Sequence, residues 1–365
     1  MKKVRIGVIG CGKISGAYLS AAAKFPILET AACSDINMEV AKAKGEEYGV
    51  PKVCTVDELL ADPNIDIVVN LTIPAAHAEI SLKTLAAGKC AYTEKPFAVV
   101  REDGLKVIES ARQKGLRVGC APDTFLGGGL QTCRKLIDDG WIGKPVGASA
   151  FMMGHGPEHW HENPEFFYKA GGGPLFDMGP YYLTTLVNLL GPVQKVASAA
   201  TISFPQRLIT SKPKYGTLID VEVPTHVNGI LHFAGGAVGT ITTSFDVWGS
   251  RLPRIEVYGT EGTLSVPDPN TFGGPVSVWR AGEWKEVPLT HVYTENYRSI
   301  GAADMAYAMQ SGRAHRASGD LAFHVLDIMQ SLYDAAEKGA TVALSSTCER
   351  PAPLPMGLRE GTLDE

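Results

Sequence analysis

Over the first third of the chain, near-continuous apolar runs alternate with segments of helical period. Strand patterns fall at Arg5–Ile9, Leu28–Cys33, Ile65–Leu71, Cys90–Thr93 and Leu116–Cys120. Helix patterns fall at about Ile14–Lys24, Met38–Tyr48, Ala76–Ala87, Glu102–Lys114 and Gly128–Asp139. Strands that are apolar throughout are buried on both faces, and their alternation with helices predicts a parallel sheet covered on each side. After Gly140 the rhythm changes. Strand-like runs at Pro145–Met153, Val193–Phe204, Thr225–Phe233, Ala237–Phe245, Arg254–Tyr258, Gly262–Val266 and Val276–Arg280 are joined by Gly/Pro turns. Links as short as Ala234-Gly235-Gly236 require antiparallel neighbours. Helices are expected at about Leu175–Leu190, Ala302–Gln310 and Leu321–Glu337.

The pattern predicts an α/β protein: a doubly wound parallel-sheet domain over 1–122, which the glycine motif that follows makes a Rossmann dinucleotide-binding domain, then an α+β domain over 123–365 with an open, mostly antiparallel sheet. The tail from about 345 to 365 reads as a surface strap. An open sheet packs helices on one face and needs cover on the other, so a homodimer or homotetramer is expected.

The first strand runs into Gly10-Cys11-Gly12-Lys13-Ile14-Ser15-Gly16. Gly10 suits a tight turn, and Gly12 has no Cβ to keep a pyrophosphate from the backbone. Helix N–H groups starting near Lys13 and Ile14 would then hold the phosphates. The usual third glycine is replaced by Ser15. The second strand leads to Asp35, where an acid holds the adenosine ribose and repels a 2′-phosphate, favouring NAD over NADP. Asp35 could otherwise be a helix cap beside an ordinary glycine turn. Ligands in such sheets lie beyond the strands' carboxyl ends. Thr72, Pro74 and His77 at one such junction, and Glu94 at another, are therefore candidate cofactor neighbours.

Composition narrows the class. The 365 residues are 45% hydrophobic and 20% charged, with net charge −5. Without a basic run or a long apolar stretch, nucleic-acid and membrane partners are not expected. Seven cysteines without a CxxC pair, and a first strand beginning a few residues after Met1, suit reduced thiols in a cytoplasmic protein.

Three stretches could carry chemistry. Lys95, in Glu94-Lys95-Pro96, follows a strand on the cofactor side, where an ammonium could stabilise a substrate alkoxide. In Gly171–Tyr182, Asp177 and Tyr181 are four apart and would share a helix face as an acid/base pair, or as a backbone-bonded Asp beside a packing Tyr. The run His155-Gly156-Pro157-Glu158-His159-Trp160-His161 matches no common metal spacing. It reads as a sugar-binding loop, with a plain surface loop as the alternative. Tyr293, Asn296, Tyr297 and Arg298 form a polar aromatic cluster fit for a substrate wall or a subunit contact.

Together, Gly10–Gly16, Glu94-Lys95-Pro96, Gly171–Tyr181 and Tyr258–Leu264 resemble the glucose–fructose oxidoreductase / inositol dehydrogenase / rhizopine-catabolism (Gfo/Idh/MocA) family over nearly the whole chain. The resemblance implies an NAD(P)-dependent oxidoreductase acting on a secondary carbinol of a sugar or cyclitol, with Lys95, Asp177 and Tyr181 as catalytic residues. The family's His falls on Tyr181, and the resemblance implies that Tyr is tolerated there, because some members, including glucose–fructose oxidoreductase, also carry Tyr. The run Ala121-Pro122-Asp123-Thr124-Phe125 departs from the Arg or Asn common after the last strand, leaving Asp123 as a substrate-side candidate with His155, His159, Trp160 and His161. An NAD-dependent glycosidase and a sugar-sensing regulator are the other uses of such a scaffold. Retention of both Lys95 and Asp177 argues against the regulator.

Overall fold

The computed structural model describes residues 2–364. The first sheet contains β1 (Val4–Ile9), β2 (Leu28–Ser34), β3 (Ile67–Asn70), β4 (Cys90–Thr93) and β5 (Val118–Cys120), all parallel, in the order β2-β1-β3-β4-β5. Five helices belong with it: α1 (Ser15–Ala22), α2 (Met38–Tyr48), α3 (Val56–Ala61), α4 (His77–Ala86) and α5 (Arg101–Lys114). The strand order reverses at β1, between β2 and β3. That opens a crevice at the carboxyl end of β1, where Gly10 begins the turn. Short α3, with its Thr55–Glu58 capping box, has no counterpart in the expected pattern.

A connecting helix, α6 (Gly128–Asp138), leads to β6 (Pro145–Met153), then α7 (Gly173–Asp177), α8 (Gly179–Leu190) and β7 (Val193–Thr201). A small hairpin of β8 (Gln206–Leu208) and β9 (Leu218–Asp220) stands apart. The remaining elements are β10 (His226–Phe233), β11 (Val238–Ser244), β12 (Ile255–Gly259), β13 (Thr263–Val266), β14 (Val276–Arg280), β15 (Glu283–Val287), α9 (Ile300–Ser311), α10 (Gly319–Lys338) and β16 (Val342–Ala343). The large sheet runs β15-β14-β13-β12-β6-β11-β10-β7-β16. Every pairing in it is antiparallel except β6 with β11. The Ala234–Gly236 link joins β10 to β11 as a hairpin, with His232 opposite Val238.

Helix α10 packs on β7 and also on α5, so it joins the two sheets. Its Asp327 is fully buried and paired with Arg101 of α5 at 2.5 Å. The tail after β16 is a strap with inward anchors, because Leu354 and Leu363 are buried. It reaches Lys24 near the first sheet, where Gly361 closes on the backbone.

The helix expected over 175–190 is broken. α7 ends at Asp177 and α8 begins at Gly179, because Pro180 cannot donate the N–H that continuity requires. Asp177 and Tyr181 therefore do not share one regular helix face, and their relation is set by Lys95, as described below.

Buried His324 on α10 accepts the Val193 N–H at Nε2 (3.0 Å), so its proton sits on Nδ1, facing the Ser346 hydroxyl at 2.9 Å. Burial depresses its pKa from 6.5 to about 4. Between those values the unfolded chain binds a proton that the folded chain refuses, so this group's contribution to stability rises with pH and is lost as pH falls. Over that window it contributes on the order of 3 kcal/mol. Urea unfolding from pH 4 to 7 is expected to show this slope, and His324→Gln is expected to flatten it.

Candidate active site

The crevice is formed where the carboxyl end of the first sheet meets the α7–α8 break. Gly10 has φ +100°, and a Cβ there would lie 2.5 Å from the Leu71 carbonyl, so only glycine suits this turn. A Cβ on Gly12 would meet nothing within 4 Å. The N–H groups of Gly12, Lys13 and Ile14 have no acceptor among the described residues, and no side chain caps α1. An open groove of about 440 Å³ borders the turn, lined in part by Lys13, Lys24 and Lys44. Asp35 accepts the Cys11 N–H at 2.7 Å and the Asn37 N–H at 2.8 Å, which fixes the acid beside the turn. Free N–H groups, space above Gly12, nearby cations and an anchored acid fit a dinucleotide.

Lys95 reaches across to the second half of the chain. Its Nζ donates to Asp177 Oδ1 at 2.7 Å and to the Asp177 carbonyl at 2.6 Å. That carbonyl is free because Tyr181 N–H bonds to Met178 instead, as the break in the helix dictates. Lys95 Nζ also stands 5.3 Å from the centre of the Tyr181 ring. Burial alone would depress the ammonium, but Asp177, Tyr181 and Glu94 outweigh it and hold its pKa above the usual lysine value. Tyr181 is raised above an ordinary phenol, chiefly by burial, with Lys95 and Arg298 opposing. It is thus a neutral phenol at pH 7.

Arg298 lies beside the Tyr181 hydroxyl, and sequence reasoning left it within a cluster of undecided role. Its loop is held by Asp123, whose Oδ2 accepts the N–H groups of Ser299 (3.1 Å) and Gly301 (3.0 Å). Asp123 is therefore bound into the fold rather than left free for a substrate. It is 1% exposed, its oxygen is committed to the start of α9, and burial pushes its pKa up to about 6. Ser299 at φ +100° is the strained residue this clamp maintains.

Two expected cofactor neighbours, His77 and Glu94, turn their side chains into the fold. The His77 ring is buried between the carbonyls of Pro96 (2.7 Å) and Thr72 (2.9 Å), joining two strand–helix junctions. Glu94 is turned inward, accepting from the Tyr18 hydroxyl and from the Lys95 N–H, both at 2.7 Å. Thr72 donates to Asn70, and Pro74 opens the turn before α4.

His161 lies near enough to Lys13 and Asp177 for both charges to act on it. Its pKa is lowered, first by burial, and its Nδ1 accepts the Asn163 N–H at 3.0 Å. The ring proton is thus on Nε2. Trp160 stands edge-on to His161 at 5.4 Å, while His159 is exposed and the His155 ring stacks on Trp248. Among the described residues no cluster suits a metal, and no helix is long and apolar enough to cross a membrane.

A glycine turn at a switch point, with an ammonium–carboxylate–phenol group across the crevice, defines a nicotinamide-dinucleotide oxidoreductase. Residues 4–121 match the family described as "Oxidoreductase family, NAD-binding Rossmann fold", and residues 130–265 match the "GFO/IDH/MocA C-terminal domain". The chain belongs to the Gfo/Idh/MocA family, and its first domain is an NAD-binding domain. It is 30% identical over 265 residues to the 1,5-anhydro-D-fructose reductase of Ensifer adhaerens, covering 71% of this chain and 74% of that one. It is 25% identical to the D-xylose dehydrogenase of Paenarthrobacter nicotinovorans, over 71% of this chain and 72% of that one. Its fold is similar to a levoglucosan dehydrogenase solved with NADH and L-sorbose, with TM-score 0.81 and 21% identity, covering 95% of this chain and 100% of that one.

The two glycines separate folding from binding. Gly10→Ala is expected to destabilise the chain by ~1–3 kcal/mol through backbone strain, seen as a lower thermal midpoint. Gly12→Ala is expected to leave that midpoint in place and to weaken NADH, measured by fluorescence titration, by about tenfold or more.

Proposed function

We propose that the chain interconverts a secondary hydroxyl and a ketone on a sugar or sugar derivative, using Lys95, Asp177 and Tyr181. NAD, held by Gly10, Gly12, Lys13, Ile14 and Asp35 with Thr72 and Pro74 alongside, supplies a hydride acceptor in one direction and a donor in the other. The observation that carries the reading is the disposition of the Lys95 ammonium. It has three N–H donors, of which two are held by Asp177, leaving one for a substrate oxygen. A fixed positive charge there stabilises an alkoxide as it forms. Asp177 orients the ammonium. Tyr181, protonated at neutral pH, gives its proton to that oxygen during ketone reduction and must lose it for oxidation. His161 donates from Nε2 to a hydroxyl of the sugar, with Trp160, His159 and His155 continuing the wall. The named relatives are reductases and dehydrogenases, and none of the reported similarities favours the glycosidase reading.

We further propose that copies of the chain associate through the helix-free face of the large sheet, where Ile230, Val238 and Trp279 are about 40% exposed or more. Ile230→Glu is expected to lower the sedimentation mass. An unchanged mass, or a wild-type monomer, would place any contact elsewhere.

Lys95→Met is expected to reduce turnover by roughly 10²–10³ while NADH still binds. Because the Tyr181 pKa is raised, oxidation should quicken with pH by up to about tenfold per unit while the phenol remains mostly protonated. Tyr181→Phe should abolish that slope. NADH production on a panel of sugars measures both, and full activity in Lys95→Met would remove the mechanism.

A further inference from the structure

Along the wall that includes Trp160 lies a row of aromatic rings, of which the proposed mechanism leaves Trp248 and Phe166 unused. Trp248, in the loop after β11, is 85% exposed, and Trp160 and Phe166, between β6 and α7, are 57% and 48% exposed. Leaving indoles in water forfeits the gain of burying them. These rings are nevertheless held in place. One face of Trp248 is stacked on His155, with centroids 3.4 Å apart. His161 meets Trp160 and Phe166 edge-on, each at 5.4 Å.

Beneath the row is a buried ion cluster. Arg207 donates to Glu158 Oε1 (2.8 Å), to Asp246 Oδ1 (2.9 Å) and to the carbonyl of His155 (2.7 Å). The Tyr168 hydroxyl also donates to Glu158. The Glu158 carbonyl accepts the N–H groups of Thr210 and Ser211, and the Ser211 hydroxyl donates to the His161 carbonyl at 2.5 Å. The Val247 N–H bonds to Gly154, tying the Trp248 loop alongside the 155–161 loop. Buried charges are poor sources of stability because their desolvation offsets their attraction. What this cluster does deliver is shape, since one guanidinium joins both loops and the β8–β9 hairpin.

The row lies along the 155–166 segment, whose His161 is near enough to Asp177 to feel its charge, and it includes the stack of His155 with Trp248. Exposed His159 and Glu162 interrupt it. A protein partner would call for contiguous apolar area. Flat rings interleaved with imidazoles suit a pyranose, which has apolar C–H faces and a rim of hydroxyls.

We propose that the free face of Trp248, backed by His155, is a subsite for a second pyranose ring, so that the preferred substrate is a glycoside whose reacting ring lies at Lys95. The proposal rests on the sugar oxidoreductase reading above, and its test separates the two.

The NADH-loaded protein is titrated calorimetrically with maltose, cellobiose, lactose and sucrose, and with glucose, galactose and fructose. At least one disaccharide is expected to bind about tenfold more tightly than its constituents. Trp248→Ala should remove that advantage and leave monosaccharide binding unchanged, and Trp248→Phe should restore part of it. The subsite is overturned if no disaccharide exceeds its constituents, or if Trp248→Ala weakens both classes equally. It is also overturned if that variant changes the sedimentation mass but not disaccharide affinity, which would make the row a subunit contact. Binding requires no turnover, so a disaccharide preference retained in a catalytically silent protein would refute the mechanism alone. Monosaccharide turnover without that preference would refute the subsite alone.

Discussion

The contact on which the site depends is the double hydrogen bond from the Lys95 ammonium to Asp177. It spans 82 positions of sequence and joins the last turn of α7 to the end of β4. Each half would be deficient without the other. A half-buried ammonium needs a counter-charge, and the Asp177 carbonyl, released where α7 breaks from α8, needs a donor. One group satisfies both needs, so the break in the helix and the charge on the strand end belong to the same construction. The chemistry follows from that closure, because Tyr181 opens the next helix and is thereby set against the same cation.

Around this contact lies a layer of polar groups that never reach the crevice but determine its walls. Glu94 ties the β4 end to α1 through Tyr18, His77 ties the β3 and β4 junctions together, and Asp123 clamps the start of α9. The clamp has a functional partner one residue away. Ser299 is held in a left-handed conformation, and Arg298 beside it faces Tyr181. Backbone strain beside the Tyr181 phenol indicates a loop whose shape is imposed by its surroundings.

Much of the fold is legible in the sequence, for identifiable reasons. The parallel strands are apolar on both faces and announce themselves locally, and Gly10, Gly12, Asp35 and Lys95 sit at strand ends where such sheets place their ligands. The site features that the sequence hides depend on what a side chain meets far along the chain. Asp123 reads as a substrate-side candidate because the partners that bind it, Ser299 and Gly301, lie more than 170 residues away. Arg298 had no local mark tying it to Tyr181. The α7–α8 break was different, since Gly179-Pro180 is a local signal that the helical period around it concealed. The short α3 and the β8–β9 hairpin bury too few residues to produce a periodic pattern.

The anchoring of Asp35 bears on how such an enzyme could be retooled. In the role proposed for it the carboxylate would do more than repel a ribose phosphate, since one oxygen holds the Cys11 N–H inside the glycine turn. Exchanging it for a neutral or basic residue, the obvious route to a phosphorylated dinucleotide, would also slacken the cradle beneath the pyrophosphate. Coenzyme preference and cradle rigidity are thus inherited together, and a change in the first requires a compensating donor–acceptor pair for the second.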